Sequence, residues 1–241
     1  MAQKLSEKIY EDMRRGIING TYQIDSRLPT ERDLAGIYGT NRPAIREAMT
    51  RLVGSGFAET RPQSGTYVKD FNAHCTLEIL AQIMLINRSV EPQIMQSILK
   101  FREVNETLTA ELAASRITED DLDFLKKNLM EKEKNLGFPQ KLAELDYSFH
   151  YRLILVSNDM IIRLIFTSMK QVYIVFTGFF YSLKGAPENS LALNRRFLEH
   201  LNRRDPVQSR EAMRDILVYG EQRLHEFINM PHSDFLSSSF F

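Results

Sequence analysis

Apolar side chains recur at helical spacing from the start of the chain. The first set is Leu5, Ile9, Met13 and Ile17, each four residues after the last, with Ile18 beside them, as on one face of a helix. The segment from Leu28 to Leu52 continues this periodicity and is interrupted once, at Gly39. The pattern predicts three short amphipathic helices that share a small core.

The second and third of these helices are joined by a tight turn. Thr30 can cap the second helix, and Asn41 or Thr40 can cap the third. The apolar positions of the third helix are Ala44, Ile45, Ala48, Met49 and Leu52. Burial of that face leaves Arg42 and Arg46 outside, one turn apart. This arrangement is typical of a helix-turn-helix, whose second helix lies in the DNA major groove.

A short hairpin is predicted directly after these helices. Residues 57–61 alternate in polarity as a strand does, 62–65 are rich in turn-forming residues, and 66–68 resume the alternation. Three helices followed by a hairpin make a winged helix, so the sequence predicts a DNA-binding module.

The remainder of the chain shows helical periodicity almost throughout. The predicted helices cover 74–87, 91–115, 118–135, 139–156, 158–183, 187–203 and 205–228. We expect a mainly α protein with a winged-helix domain over 1–70, a linker over 71–73, a helical domain over 74–230 and a tail over 231–241. Because duplex binding does not need so large a helical body, we expect that body to sense a metabolite and to dimerise.

Composition narrows the class of protein. The 31 lysines and arginines balance 31 aspartates and glutamates, so DNA affinity has to come from a local basic patch. The single cysteine, Cys75, excludes an intramolecular disulfide and a zinc finger. The charged N-terminus is unlike a signal peptide, and the apolar stretch 161–183 is interrupted by Arg163 and Lys170. We expect a cytoplasmic protein without a membrane partner.

Three features of the helical body can hold a ligand. Asp146 and His150 are one turn apart, a spacing that suits either a divalent metal or a hydrogen-bonded couple. Arg102 lies on an otherwise apolar face, where it can pair with an acid or clamp a ligand carboxylate. The third feature is an aromatic series that suits a core or the wall of an acyl-chain cavity: Tyr173, Phe176, Phe179, Phe180 and Tyr181.

The N-terminal module resembles that of the GntR family of bacterial transcription regulators. The matching residues are Leu28 to Arg32, Arg42, Arg46 to Ala48, Leu52, Gly56, Gly65 and Thr66. The resemblance implies that Arg32, Arg42 and Arg46 approach phosphates and guanine edges, and that the wing tip at Gly65 reaches the minor groove. We include Thr40, Asn41 and Pro43, at the start of the third helix, in the expected DNA-binding set.

The helical body resembles the FCD sensory domain of the FadR subfamily, through the segment from Arg102 and through Asp146 with His150. This implies an antiparallel bundle of six or seven helices. Many members bind a metal through an aspartate and three histidines, with a small carboxylate effector on the metal. Here Asn194 and Ile216 stand where the third and fourth ligands are expected, so no metal or other cofactor is predicted, and Asp146 and His150 are at most a remnant.

Segments 143–173, 190–201 and 218–220 resemble the fatty-acid-responsive FadR regulators most closely. That similarity implies binding of a long-chain fatty acyl-CoA, which would release the operator and control genes of fatty acid metabolism. The residues it places in the ligand site are Tyr173, Phe180, Tyr219 and Gly220, to which we add Tyr181. Leu217 and Val218 stand where those regulators carry two arginines, and Arg223 stands where they carry a serine.

The sequence thus predicts a homodimeric transcription regulator that binds a palindromic double-stranded operator. One alternative effector is a small organic acid held by Arg102, Asp146, His150 and Asn194, with or without a metal. A metal-dependent hydrolase with a DNA-binding appendage is the other alternative. It is disfavoured because the chain has no Gly-rich phosphate loop, no nucleophile elbow and no complete set of metal ligands.

Overall fold

The protein is described by a computed structural model over residues 2–71, 73–87 and 91–228, with side chains from Leu5 to Glu226 within those ranges. It divides into two compact units, Met1–Arg88 and Ser89–Phe241. The predicted tail, 231–241, lies outside the described residues. The described chain is mainly helical, with one two-stranded sheet, as predicted.

The first unit is a winged helix with one additional helix. Its elements are α1 (Ala2–Ile18), α2 (Glu31–Ile37), α3 (Arg42–Gly54), β1 (Ala58–Arg61), β2 (Gly65–Val68) and α4 (Leu77–Asn87). Ile9, Met13 and Ile17 of α1 are buried as the periodicity predicted, whereas Leu5 at the start of the stripe is exposed. The apolar face of α3 is buried against them in the same core cluster.

Local hydrogen bonds fix the ends of α2 and α3. Thr30 and Asp33 form a reciprocal capping box at the start of α2. At the start of α3, Asn41 Oδ1 accepts a hydrogen bond of 3.2 Å from the Ala44 amide. Of the two predicted capping residues, Asn41 therefore performs this role. Gly39 adopts a φ of +59° between the helices, a conformation that glycine tolerates best.

The wing is an antiparallel hairpin in which Ala58 pairs with Val68 and Arg61 pairs with Gly65. Gly65 has a φ of +122°, and a Cβ atom there would lie 2.8 Å from Arg27 Nε. The backbone conformation therefore favours glycine at this turn, whereas the flexible end of the Arg27 side chain could move aside.

Helix α4 packs with the winged helix. Ile79 is buried in the core of the first unit, and Gln82 Oε1 accepts hydrogen bonds from Tyr10 at 3.3 Å and Arg14 at 3.0 Å. The first compact unit consequently includes α4, which follows the expected linker 71–73. Helical periodicity alone does not reveal against which core a helix is buried.

The second unit contains seven helices within its described residues. They are α5 (Pro92–Ala114), α6 (Glu119–Lys134), α7 (Pro139–Ser157), α8 (Met160–Ser168), α9 (Lys170–Tyr181), α10 (Ala186–Asn202) and α11 (Pro206–Ile228). Thr118 and Asp121 form the capping box of α6. Phe149, Phe197 and Met213 are fully buried in one core cluster of this unit, in which α7, α10 and α11 pack together.

The predicted single helix 158–183 is in fact two helices, α8 and α9, bent by 66°. Just before the bend, the hydroxyl groups of Thr167 and Ser168 donate to the carbonyls of Arg163 and Leu164. Such bonds compete with the backbone ladder and bend helices. Among the described residues, length and composition would let only this bent pair cross a membrane, and no single helix would.

Candidate functional site

The first turns of α3 present two arginines at the surface. Arg42 and Arg46 are exposed, whereas Ala44 and Ile45 between them and Ala48 after them are buried. Asn41 and Pro43 are also exposed and Thr40 is partly exposed, so the residues predicted around the start of α3 do share one accessible end of the helix. Because Pro43 lacks an amide hydrogen, it suits this first turn.

Arg46 is joined to the first residue of α2. Its Nε donates to Glu31 Oε1 at 2.9 Å, and its Nη2 donates to Glu31 Oε2 at 2.8 Å. This bidentate pair holds the start of α2 beside α3. Arg32 is the next residue of α2, and its side chain is largely exposed at the same end. Its Nε lies 3.9 Å from Asp33 Oδ1. Sequence reasoning did not anticipate the role of Glu31 in this pairing.

A buried polar network occupies the second unit and is centred on Asp146. Three side chains donate to this carboxylate: Lys132 Nζ to Oδ1 at 2.7 Å, Tyr181 to Oδ1 at 2.8 Å and Tyr173 to Oδ2 at 2.8 Å. The network continues from Tyr181 to Ser190 at 3.1 Å. All of these side chains are buried, so Asp146 is held as a fully hydrogen-bonded ion.

Arg102 forms the second half of the network. Its Nε donates to Glu106 Oε1 at 2.6 Å, and its Nη2 donates to the Tyr173 hydroxyl at 3.0 Å. His150 Nδ1 lies 2.5 Å from Glu106 Oε2, and its Nε2 lies 3.8 Å from Asp146 Oδ2. The imidazole ring of His150 therefore lies between the two carboxylates of the network.

The electrostatics keep both buried carboxylates charged. Burial raises the pKa of Glu106, but the Arg102 guanidinium and His150 outweigh it and lower the pKa to about 2. Burial likewise opposes ionisation of Asp146, and Lys132, followed by His150 and Arg102, holds its pKa well below the usual range. Both carboxylates of the network are therefore charged at neutral pH.

These residues do not fit a metal ion. Both Asp146 oxygens already accept hydrogen bonds from Lys132, Tyr173 and Tyr181. The Lys132 ammonium thus supplies the positive charge beside Asp146. No group of three or more histidine, cysteine, aspartate or glutamate side chains in the described part of the chain could hold a metal.

A small cavity lies against this network. Its volume is about 30 Å³, enough for about two ordered water molecules. Five of the predicted ligand residues line it: Arg102, Asp146, Phe180, Tyr181 and Gly220. Six more lining residues were not predicted as ligand contacts: Leu99, Thr177, Ser190, Ile216, Leu217 and Leu224.

Four predicted ligand residues are absent from the cavity lining. Tyr173 and His150 are buried in the polar network instead. Asn194 is also fully buried, and its Nδ2 donates to the Ser190 carbonyl at 2.6 Å. Tyr219 packs edge-on against Phe180, and its hydroxyl accepts from Asn189 at 3.1 Å. Their helices are close to the cavity, but their side-chain directions take them elsewhere.

Two residues that organise the network were missed. Glu106 follows Arg102 by one helical turn, so the sequence did contain the signal for the pair. Lys132 extends the buried stripe of Leu125 and Leu129 by three residues, which marks a lysine on a core-facing position. Its partner Asp146 lies on another helix, which the stripe could not reveal.

Acid should weaken the second unit through these carboxylates. Because the folded pKa of Glu106 is about 2, below that of an ordinary glutamate, the unfolded chain binds more protons as the pH falls. The free energy of unfolding should drop between about pH 4.5 and about pH 2, with roughly 3 kcal/mol from Glu106 alone. Urea unfolding followed by circular dichroism at a series of pH values measures this. A free energy of unfolding that stays constant over this pH range would contradict an origin in buried carboxylates. A pH dependence that disappears in about 0.5 M salt would contradict it too.

Comparisons with known proteins agree with this architecture. The model of the "Bacterial regulatory proteins, gntR family" matches residues 5–68, and the FCD domain model matches residues 97–218. The HTH-type transcriptional regulator Mce2R of Mycobacterium tuberculosis is 26% identical, with 89% of each chain covered. The Glc operon transcriptional activator of Escherichia coli is 27% identical, over 92% of this chain and 89% of the relative.

A solved structure shows the same fold at lower identity. Lar, which controls the expression of the Listeria monocytogenes agr system, superposes with a TM-score of 0.63 and 17% identity over 92% of this chain and 96% of that one. The winged helix and the seven-helix unit described above correspond to the two matched family models. The protein is therefore a transcription regulator of the GntR family with a C-terminal FCD domain.

Proposed function

We propose that this regulator binds a palindromic operator through α3 and the wing, and that a small organic acid in the second unit changes its operator affinity. The observation that carries the effector proposal is the position of Arg102, which is buried yet lines the cavity. Its guanidinium offers planar donors that match a carboxylate.

On the DNA side, we assign the contacts to the exposed end of α3 and its neighbours. Arg46 would read a base edge, whereas Arg32 and Arg42 would bind phosphates. Thr40, Asn41 and Pro43 surround the same end, and the glycine-dependent turn at Gly65 would carry the wing toward the minor groove. Backbone amides at the start of α3 would add phosphate contacts.

We further propose that two copies act together. Helix-turn-helix regulators read two half-sites about one turn of the DNA helix apart, which requires two winged-helix domains. On α8, Ile161 and Leu164 are 65% and 50% exposed, and Met160 and Ile165 extend the same apolar surface. We assign this surface to the second copy, because burial of such side chains stabilises association. Sedimentation equilibrium of the native protein and of Ile161→Glu tests this assignment. A monomeric native protein would contradict it.

The lining of the cavity favours a short effector. Three hydroxyl-bearing residues, Thr177, Tyr181 and Ser190, line the cavity together with Arg102. They suit a carboxylate or hydroxy acid, whose polar atoms need several donors and acceptors at once. The volume of about 30 Å³ lies far below the several hundred Å³ of drug-sized ligand pockets.

A long-chain fatty acyl-CoA is the second candidate. The remaining lining includes apolar side chains that support an acyl chain: Leu99, Phe180, Ile216, Leu217 and Leu224. Such a ligand would have to open the core far beyond the present volume. Leu217 and Val218, which replace the two arginines implied by the fatty-acid-responsive resemblance, offer no charge to the CoA phosphates.

Fluorescence anisotropy of an operator, selected by this protein from random duplexes, separates the candidates. A coupling of about 1 to 3 kcal/mol between effector and DNA would shift operator affinity roughly 5- to 150-fold. We expect a library of small carboxylic and hydroxy acids to contain a compound with this effect. Response to long-chain acyl-CoA alone would instead establish the second candidate, and response to neither would contradict an effector in this cavity.

A cavity-filling variant provides the control. Leu217→Phe adds volume to the lining, whereas Val218→Phe adds the same ring type at the neighbouring, 40% exposed position. We expect Leu217→Phe to keep operator binding and lose the response, and Val218→Phe to keep both. Equal responses in the two variants would place the effector elsewhere.

A further inference from the structure

We propose that Glu31 is a positioning residue that sets the Arg46 guanidinium to read a guanine edge instead of a phosphate. This inference rests on the proposed operator binding by α3. The two residues are 15 apart in sequence and belong to different helices, so their pairing is a property of the folded helix-turn-helix.

The ion pair with Glu31 leaves the terminal donors of the Arg46 guanidinium available. Glu31 engages Nε at 2.9 Å and Nη2 at 2.8 Å, which is the side edge of the guanidinium. The end of the group, formed by Nη1 and the second hydrogen of Nη2, keeps two parallel donors. Two parallel donors match the O6 and N7 acceptors of guanine in the major groove. Pairing of the Glu31 carboxylate with the side edge thus orients the guanidinium and leaves its two terminal donors available to a base.

Glu31 is itself held in place. It is the first residue of α2, directly after Thr30, whose side chain accepts from the Asp33 amide in the capping box. The Glu31 side chain is 34% exposed, against 69% for Arg46, so the carboxylate is the better fixed partner. Hydrogen bonding by Arg46 lowers the pKa of Glu31, and the carboxylate stays charged at neutral pH.

Charge distinguishes Arg46 from the neighbouring arginines. Within the described residues, Arg42 has no acidic partner within 4.0 Å, and Arg32 has only Asp33 at 3.9 Å. Those two side chains therefore carry unneutralised charge, as phosphate binding requires. The Arg46 and Glu31 pair is neutral, and its carboxylate repels phosphates. The pair therefore favours base reading over backbone binding.

The test compares Glu31→Gln with Glu47→Gln. Glu47 is an exposed acid next to Arg46 on α3 without an ion pair among the described residues, so both variants remove one negative charge near the same surface. Affinity is measured by anisotropy at several salt concentrations for the duplex selected by the native protein, for duplexes with each guanine replaced, and for an unrelated duplex.

We expect both variants to bind the unrelated duplex more tightly, with a salt slope steeper by about 1. Only Glu31→Gln should lose discrimination at one guanine, on the order of 10-fold. Thermal unfolding shows whether each variant is folded. If Glu31→Gln loses no more discrimination at any guanine than Glu47→Gln does, the role of Glu31 is refuted while operator binding stands. If the native protein does not prefer its selected duplex, the proposed function fails and this inference fails with it.

Discussion

Replacing Lys132 with methionine is expected to lower the free energy of unfolding of the second unit by about 3 to 5 kcal/mol. The Lys132 ammonium lies 2.7 Å from Asp146 Oδ1, and both side chains are buried. Methionine has a similar length and volume, so the main loss is the positive charge. Among the described residues, only the Tyr173 and Tyr181 hydroxyls would then remain as close donors to the buried Asp146 carboxylate.

Lys134→Met is the matched control for this experiment. Lys134 lies two residues later on α6, is 68% exposed and pairs with Glu131 across one turn. An exposed pair of this kind contributes at most about 1 kcal/mol. Urea unfolding followed by circular dichroism compares the two variants, and similar losses would contradict the buried ion pair. Adding Asp146→Leu to Lys132→Met should recover part of the stability, since the unpaired charge is then removed.

Replacing Arg46 with alanine should weaken binding to the selected operator by about 1 to 3 kcal/mol. The loss should be confined to duplexes that carry the base read by Arg46. Binding to unrelated DNA should change little, because the native Arg46 charge is already neutralised by Glu31 at 2.8 Å. Arg42→Ala, which removes an unpaired cation one turn earlier, should instead weaken binding to all duplexes.

Anisotropy on matched and mutated operators measures this difference. Lys8→Ala serves as a control, since Lys8 is an exposed cation of α1 in the same unit. Unchanged operator affinity in Arg46→Ala would refute the assignment of α3 as the recognition helix. A uniform loss across all duplexes, with a shallower salt slope, would show that Arg46 binds a phosphate.

The second unit combines a rigid network with a small cavity at its edge. Asp146 and Arg102 belong to both, because each pairs within the network and also lines the cavity. A carboxylate that entered beside Arg102 would add a third negative charge to a site that already holds the Asp146 and Glu106 carboxylates. Its binding would therefore have to rearrange hydrogen bonds of the network, which offers a physical route from effector to helix positions.

Local sequence was sufficient for the winged helix. The caps at Thr30 and Asn41, the turn at Gly39 and the buried face of α3 depend on residues within about one turn of each other. The hairpin is equally local, with its strands joined by a three-residue turn after Arg61. For these reasons the elements of the first unit could be predicted closely, and the two exposed arginines with them.

Contacts between distant residues decided the rest. The sequence alone determined a winged-helix head, a helical body and an Arg102 on an otherwise apolar face, because caps and periodicity act over a few residues. Only the tertiary structure decided that Lys132 neutralises Asp146, that Glu31 orients Arg46 and that α4 packs with the head. Each of these depends on how helices are packed, since a side chain's partner across helices is set by the position and rotation of both.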